Sequence, residues 1–151
     1  MSMIVNRRDV DFYLDEMFDL GSLLASDRYS EHDRKSITAI LDLCQSMAEQ
    51  EFLPCAAEHD ENEPVFKDGQ AITPNSLKAC LKTFVEAGLP TATFDHELGG
   101  MQLPVMVANF MQGMFQAANA PAVAYVFLTS SNAHMLQACG SQALRERYLS
   151  P

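Results

Sequence analysis

The sequence predicts an all-α protein, a bundle of about six helices, and three observations support that class. Amphipathic stretches with apolar residues at i, i+3 and i+4 recur along the first half of the chain. The stretch from Met101 to Leu144 then holds 44 residues without Asp, Glu, Lys or Arg, enough for two apolar helices. No segment shows a convincing strand. At 151 residues and 48% hydrophobic content, the chain fits one globular domain.

The first part of the chain predicts two helices. Residues 1–8 form a loose terminus, after which Asp9 caps a helix that Gly21 closes in the left-handed conformation. Ser30 is the candidate cap of the second helix, and Asp33 completes a weaker version of the capping box. Pro54 bends this second helix without ending it. Its apolar stripe has helical spacing and consists of Ile37, Ile40, Leu41, Cys44, Met47, Ala48 and Phe52.

Loop and turn residues separate the elements in the middle of the chain. Residues 59–70 are highly charged and predict a surface loop with a tight turn at Asp68-Gly69. Thr73-Pro74 predicts a helix start, with a side-chain cap followed by proline at the first helical position. Gly88 ends that helix, and an extended segment over residues 91–94 follows.

The uncharged stretch divides at Asn119-Ala120-Pro121 into two helices, Leu103 to Ala118 and Ala122 to Cys139. Helices that are apolar around nearly their whole circumference are buried. A membrane span is the weaker interpretation, because polar residues interrupt both pieces before about 20 apolar residues accumulate. We therefore expect a core that packs against more protein than this stretch supplies. A short amphipathic helix from Gln142 to Leu149 follows, and the chain leaves the bundle at Ser150-Pro151.

Charge and cysteine content restrict the partners of the chain. The net charge is −10, and residues 1–75 carry all of it. Nucleic acid is not an expected partner, because phosphate binding needs clustered Lys and Arg, and the acids fit solvated helix faces. The four cysteines are widely spaced, unlike zinc ligands, and the first residues do not resemble a signal peptide. We expect reduced thiols, no metal, no membrane span and a cytoplasmic location.

Individual residues carry little chemistry by themselves, and none is predicted to be catalytic. His134 is better explained as a hydrogen-bonded core histidine than as a catalytic one, because no carboxylate lies near it in the sequence. Asp95-His96-Glu97 favours a solvated loop over a metal cluster, since three adjacent side chains point in different directions. Gly99-Gly100 is too short to cradle phosphate and indicates a turn. The methionines are core filler or suit a pocket for an apolar chain; they are Met101, Met106, Met111, Met114 and Met135.

Three segments together resemble the N-terminal helical domain of the acyl-CoA dehydrogenases. The first, from Phe84 to Pro90, is similar to the helix end before the short crossing segment of that family. The second, from Asp95 to Pro104, resembles its acid-rich turn, paired glycines and Leu-Pro helix start, with Gln102 where the family usually has glycine. The third joins Leu128-Thr129 and Cys139-Gly140-Ser141-Gln142 to the exit Arg147-Tyr148-Leu149-Ser150-Pro151, and resembles the glycine turn and the end of the domain.

The front of the chain resembles a particular branch of the family. Residues from Asp9 to Asp19 and from Val65 to Pro74 are similar to the N-terminal extension of a large subfamily that includes 3-methylmercaptopropionyl-CoA dehydrogenases. The resemblance implies an extension with one helix over residues 1–30 and the N-terminal α-domain over residues 31–151.

The resemblance also implies an activity. The family consists of FAD-dependent, homo-oligomeric enzymes that dehydrogenate an acyl-CoA thioester between its α and β carbons. A β-rich middle domain and a C-terminal helical domain follow in the family and bring most flavin contacts and the glutamate base. We therefore expect this chain to be inactive alone and to hold FAD weakly or not at all. It is interpreted as a domain, a proteolytic remnant or a truncated reading frame of a larger flavoenzyme.

The resemblance implies substrate-binding residues as well. Matching by the Gly140 turn places Ala124, Tyr125 and Leu128, and with them Thr129, on the wall of the family's acyl pocket, with ordinary core packing as the alternative for each. The bulk of Tyr125 and Leu128 favours a short or branched acyl group. Two other functions stay open, an acyl-CoA oxidase-like flavoenzyme on the same fold and a helical interaction module without enzymatic activity.

Overall fold

A computed structural model describes residue 2 and residues 4–149, and within these residues it is an almost entirely helical structure, as predicted. The α-helices are α1 (Arg7–Asp11), α2 (Leu20–Leu24), α3 (Arg34–Met47), α4 (Ala56–Glu61), α5 (Asn75–Glu86), α6 (Val105–Cys139) and α7 (Gln142–Tyr148). Wider π turns occupy Phe12–Met17 and Ala48–Phe52, and 3-10 turns occupy Asp27–Tyr29, Leu53–Cys55, Leu89–Thr91 and His96–Leu98. Two short strands, β1 (Val65–Lys67) and β2 (Gln70–Ile72), complete the fold.

The N-terminal helix differs from the predicted one. Asn6 rather than Asp9 caps it, because the Asn6 side chain accepts a hydrogen bond from the Arg8 amide at 3.2 Å. The left-handed residue that separates α1 and its π turn from α2 is Asp19, with φ 48°, and not Gly21. Aspartate tolerates this conformation when its short side chain bonds locally. Ser22 supplies two such hydrogen bonds, which lower the pKa of Asp19.

Helix α3 has the predicted stripe but a different cap. Asp33 itself caps the helix and forms a reciprocal capping box with Ser36, whose backbone hydrogen bond lowers the pKa of the Asp33 carboxyl. Arg34, in the first turn, bonds the carboxylates of Asp11 and Asp15 and so ties the N-terminal segment to α3. The helical path continues past Pro54 into α4, as predicted. Five stripe residues are fully buried, namely Ile37, Leu41, Cys44, Ala48 and Phe52.

The expectation that no strand exists is wrong over residues 65–72. There, β1 and β2 pair antiparallel, with Val65 opposite Ile72 and Lys67 opposite Gln70. The predicted tight turn joins them: Asp68 and Gly69 both have positive φ, 52° and 79°. The strands escaped prediction because each has three residues and both faces are exposed, so no apolar alternation marks them.

The segment on either side of α5 departs from prediction in two places. The helix begins at Asn75 with Pro74 at the capping position, so Thr73 does not cap it. Gly88 ends the helix with φ 71°, as predicted, but residues 91–94 are folded into tight turns and are not extended. Gln102, where the family usually has glycine, has φ 52°, and its side-chain amide donates to the Arg28 carbonyl at 2.5 Å. That bond explains how a residue with a side chain holds this conformation.

The core lies between α3, α5 and the first piece of α6. At its centre Phe115 packs edge-to-face on Phe52 and Phe84, with ring centroids 4.9 Å away in both pairs. The second piece of α6, after Asn119, is different. Much of it faces solvent, so the described residues bury only the first of the two uncharged helices, and the packing of the second against further protein stays a prediction. Across the residues described, no helix is both long enough and apolar enough to cross a membrane.

Candidate functional site

An apolar groove of about 440 Å³ lies beside the bend in α6 and is the candidate site. The first piece of α6 forms one wall, and the second piece forms another. The closing residues come from the π turn before α4, from the end of α5 and from the segment after it. The lining consists of Phe52, Phe84, Leu89, Pro90, Ala92, Thr93, Val105, Ala108, Asn109, Met111, Gln112, Phe115, Val123, Val126, Phe127, Ser130, Ser131 and His134.

The bend that separates the two walls is built by Asn119 and Pro121. Proline has no N–H to donate to the carbonyl four residues earlier, and its ring crowds that carbonyl, so a proline inside a helix bends or breaks it. The chain breaks helical geometry two residues before, at Asn119, with φ −160° and ψ 82°. The Asn119 side-chain oxygen then accepts the Ala122 amide at 3.1 Å, which is the hydrogen bond of a helix N-cap. The predicted division of the uncharged stretch is therefore confirmed.

A polar edge fastens the second wall to the turns that follow α5. The Thr93 hydroxyl and the Nε2 atom of His134 are 2.8 Å apart, and Nδ1 of His134 lies 2.8 Å from the Ser130 carbonyl. A carbonyl only accepts, so Nδ1 carries the proton and, in neutral histidine, Nε2 accepts from Thr93. The Ser130 hydroxyl donates a hydrogen bond to the Pro90 backbone carbonyl at 3.1 Å. The His134 ring packs edge-to-face on the Phe94 ring. His134 is hydrogen-bonded as predicted but lies at the surface, not in the core.

The electrostatics of the groove suit an uncharged, apolar ligand. None of the described lining residues is Asp, Glu, Lys or Arg, and most of them are apolar. An apolar cleft with few polar groups binds hydrocarbon by removing apolar surface from water. The diphosphate of a dinucleotide such as FAD needs cations or a helix N-terminus aimed at it. The described lining supplies no cation, and the Asn119 side chain already accepts the Ala122 amide at the start of the second wall, so these residues do not fit that part of FAD.

The four residues expected to bind substrate are all exposed, and none of them lines the groove. Ala124, Tyr125, Leu128 and Thr129 lie on the second piece of α6, with Tyr125 43% and Leu128 62% exposed. The hydroxyl of Thr129 donates to the Tyr125 carbonyl within the helix. Their place in an acyl pocket stays a prediction.

The residues of the same helix that do line the groove were missed by the sequence reasoning. They lie on the second piece of α6 and are spaced as one helical face, namely Val123, Val126, Phe127, Ser130, Ser131 and His134. That spacing was visible in the sequence. It could not distinguish this face from its neighbour, because both are apolar.

The other candidate clusters of the sequence are structural. The loop at Asp95-His96-Glu97 is tied to the N-terminal region, with Arg28 2.6 Å from Asp95 and His96 3.3 Å from Glu31. Of the methionines, Met111 and Met114 are buried in the core, and Met111 also reaches the groove.

The fold and the groove together define a class of protein: a helical domain with an uncharged, apolar groove at the bend of its longest helix. The family model described as "Acyl-CoA dehydrogenase, N-terminal domain" matches residues 35–151. The chain belongs to this family.

Two curated relatives agree with the assignment. One is the butyryl-CoA dehydrogenase of Syntrophomonas wolfei, 29% identical over 146 residues, which are 94% of this chain and 24% of the relative. The other is the broad-specificity linear acyl-CoA dehydrogenase FadE5 of Mycobacterium tuberculosis, 31% identical over 120 residues, 78% of this chain and 20% of the relative. The chain thus spans about a quarter or less of the length of these relatives.

Proposed function

We propose that this chain is the N-terminal α-domain of an FAD-dependent acyl-CoA dehydrogenase and that its groove receives the apolar end of the acyl chain. The uncharged groove at the bend of α6, in a member of this family, is the observation that carries the proposal. Within that proposal, residues 1–30 form an N-terminal extension and residues 31–151 the α-domain. Both relatives are named as dehydrogenases of acyl-CoA thioesters, and one of them is named for linear substrates.

The open side of the groove is where an acyl chain would enter. Phe127 lines the groove and is nevertheless 48% exposed, so its ring stands at this opening. Residues three and four positions apart are neighbours on a helix surface. Ala124 and Leu128, a pair four apart, therefore flank Phe127 on the side away from the core, and Tyr125 and Thr129 lie further round. The proposed acyl wall thus extends from the groove residues onto Ala124 and Leu128, and the family resemblance extends it to Tyr125 and Thr129.

The outer face of the second piece of α6 is an exposed apolar surface, of the kind that packs against other protein. Tyr125, Leu128 and Met135 expose large apolar side chains there, and water is a poor neighbour for so much adjacent apolar surface. We propose that the middle and C-terminal domains implied by the family resemblance pack on this face in a homo-oligomeric, cytoplasmic enzyme.

The composition of the groove indicates which steps this chain would perform and which would fall to other domains. FAD, when bound, supplies the redox chemistry of the reaction. The groove offers no cation for its diphosphate, so other domains would hold the cofactor and supply the base. The residues of this chain bind the acyl chain, orient it and exclude water from it. The chain by itself is expected to be inactive.

Dye reduction by a full-length enzyme that contains this chain tests the proposal. Phe127→Ala removes a ring from the opening, so kcat/KM should rise for long relative to short straight-chain acyl-CoA. Phe66→Ala is the matched control, because Phe66 is 80% exposed on the β1–β2 hairpin, outside the groove. An unchanged chain-length profile in Phe127→Ala would count against acyl binding in the groove. Peroxide formation in place of dye reduction would indicate an acyl-CoA oxidase, and absence of flavin would leave a helical interaction module.

A further inference from the structure

A chain of polar side chains runs from the protein surface to the buried bend of α6. The Ser76 hydroxyl donates to the Glu58 carboxylate at 2.6 Å, and the Nε2 atom of His59 lies 3.0 Å from the same Ser76 oxygen. The Nδ1 atom of His59 lies 2.8 Å from the Asn119 side-chain nitrogen. His59 and Asn119 are 7% and 2% exposed. Four side chains from three segments distant in the sequence therefore meet in one line.

The hydrogen-bond partners fix each proton in this line. Serine has a single hydroxyl hydrogen, and Ser76 gives it to Glu58, so the Nε2 atom of His59 must be the donor to Ser76. Nδ1 of His59 is then the acceptor of an Asn119 amide hydrogen. The second hydrogen of the Asn119 amide is donated to the Phe52 carbonyl at 3.0 Å, and the Asn119 side-chain oxygen accepts a hydrogen bond from the Ala122 amide. Turning the Asn119 amide over would break all three contacts, so only one orientation is compatible with the network.

The network lies directly behind the groove. Phe52, whose carbonyl it binds, also places its ring in the lining. Val123, the first lining residue of the second wall, follows immediately after Ala122, whose amide is capped. Asn119 therefore connects the backbone of one lining residue, Phe52, to the start of the second wall, and His59, through Ser76 and Glu58, holds the Asn119 amide in place. At its inner end, where His59 and Asn119 are buried, the geometry of the network is narrow, because a displacement there leaves polar groups unpaired.

We propose that the Glu58–Ser76–His59–Asn119 network is a positioning device that sets the angle between the two pieces of α6 and thereby the length of acyl chain that the groove accepts. This assignment rests on the proposed function. The four side chains act through the bend and do not touch the acyl group. Their loss should therefore alter discrimination between substrates more than it alters turnover of the best one.

The test compares variants of a full-length enzyme that contains this chain. Asn119→Asp keeps the capping oxygen but loses both amide hydrogens, and His59→Leu removes both ring nitrogens. His59→Gln keeps one acceptor and one donor, so it should behave like the parent. Asn6→Asp is the matched control, since Asn6 caps α1 at an exposed position on a helix that does not line the groove.

The readout is the ratio of kcat/KM for long and short straight-chain acyl-CoA. Asn119→Asp and His59→Leu should change this ratio by about tenfold, the effect that one unpaired buried polar group has on an equilibrium. His59→Gln and Asn6→Asp should leave it near the value of the parent. An equal loss of kcat/KM at every chain length in the first two variants would mean that the network serves stability alone, and would overturn the proposal.

Hydrogen exchange separates this proposal from the proposed function. If the enzyme turns over no acyl-CoA at all, the proposed function fails, but the position of the second wall can still be measured. The amides of residues 122–134 should exchange faster, relative to those of residues 105–118, in Asn119→Asp and His59→Leu than in Asn6→Asp. Equal relative exchange in all three variants would overturn the positioning role.

Discussion

Replacing Asn119 by alanine tests the bend of α6 most directly. The substitution introduces no backbone strain, because φ at this position is −160°, an extended value that any residue adopts. It removes three hydrogen bonds at once: those to the Phe52 carbonyl, the Nδ1 atom of His59 and the Ala122 amide. Each of these groups is left in a place that the Asn119 side chain, 2% exposed, had shielded from water.

The expected loss of stability can be worked from these contacts. A lost N-cap costs about 1 kcal/mol. A buried acceptor left unpaired costs about 1–3 kcal/mol, and two such acceptors remain. Allowing for partial relaxation, Asn119→Ala should lower the free energy of unfolding by about 3–5 kcal/mol. That is a large part of the roughly 5–15 kcal/mol that stabilises a typical domain.

Urea unfolding followed by circular dichroism at the helical wavelengths measures this loss. Asn6→Ala is the matched control, because Asn6 is also a helix cap but lies exposed, with a bond only to the Arg8 amide. It should lose about 1 kcal/mol or less, so the difference between the two variants isolates the buried bonds. An Asn119→Ala variant as stable as Asn6→Ala would refute the reasoning, since the network would then contribute nothing beyond an ordinary cap.

Three further predictions address the outer face of α6, two glycines and a buried thiol. Tyr125→Ala in a full-length enzyme should extend the chain-length preference measured by dye reduction, because it removes a bulky ring from the predicted acyl wall; an unchanged preference would contradict that role. Gly100→Ala should lower the free energy of unfolding by about 3 kcal/mol or more, since a Cβ there would lie 2.0 Å from the Phe94 carbonyl oxygen. Gly113→Ala should raise it by about 0.5–1 kcal/mol, because a Cβ there meets open space on a helical backbone. Similar unfolding midpoints for the two variants would contradict both assignments. Burial raises the pKa of the Cys44 thiol from 9.0 to about 12, so between these pH values the folded state keeps a proton that the unfolded state loses. The free energy of unfolding should therefore be highest below pH 9.0. Above that pH it should fall by up to about 1.4 kcal/mol per pH unit until the folded thiol ionises. Urea midpoints over that range should decline less in Cys44→Ala, and parallel declines would rule the thiol out.

Much of the fold could be predicted because it depends on local chemistry. The stripe of α3 follows from helical spacing, and the turn at Asp68-Gly69 from residues that tolerate positive φ. The errors also have local causes. Asp19, and not Gly21, adopts the left-handed conformation because the Ser22 amide and hydroxyl donate hydrogen bonds to its carboxylate. The amino-acid composition of the segment does not reveal this contact. Short exposed strands have no buried face, so they leave no apolar pattern.

The candidate site depended on contacts that spacing along the chain does not encode. The second piece of α6 is apolar on two faces, and the sequence could not tell which of them would line a cavity. The face that carries Val123 and Phe127 lines the groove, because Phe84 and the turns after α5 lie opposite it. Ala124 and Tyr125 were left exposed on the other face.

The sequence alone determined that this chain is helical and that its uncharged stretch bends at Asn119-Ala120-Pro121, and it predicts that part of that stretch packs against further protein. These properties follow from side-chain spacing, a missing N–H and the absence of ionised groups, all of which act over a few residues. Only the tertiary structure decided what holds the bend and where the groove lies. The partners of Asn119, Phe52 and His59, are 67 and 60 residues away in the chain, and packing alone brings them within hydrogen-bonding distance.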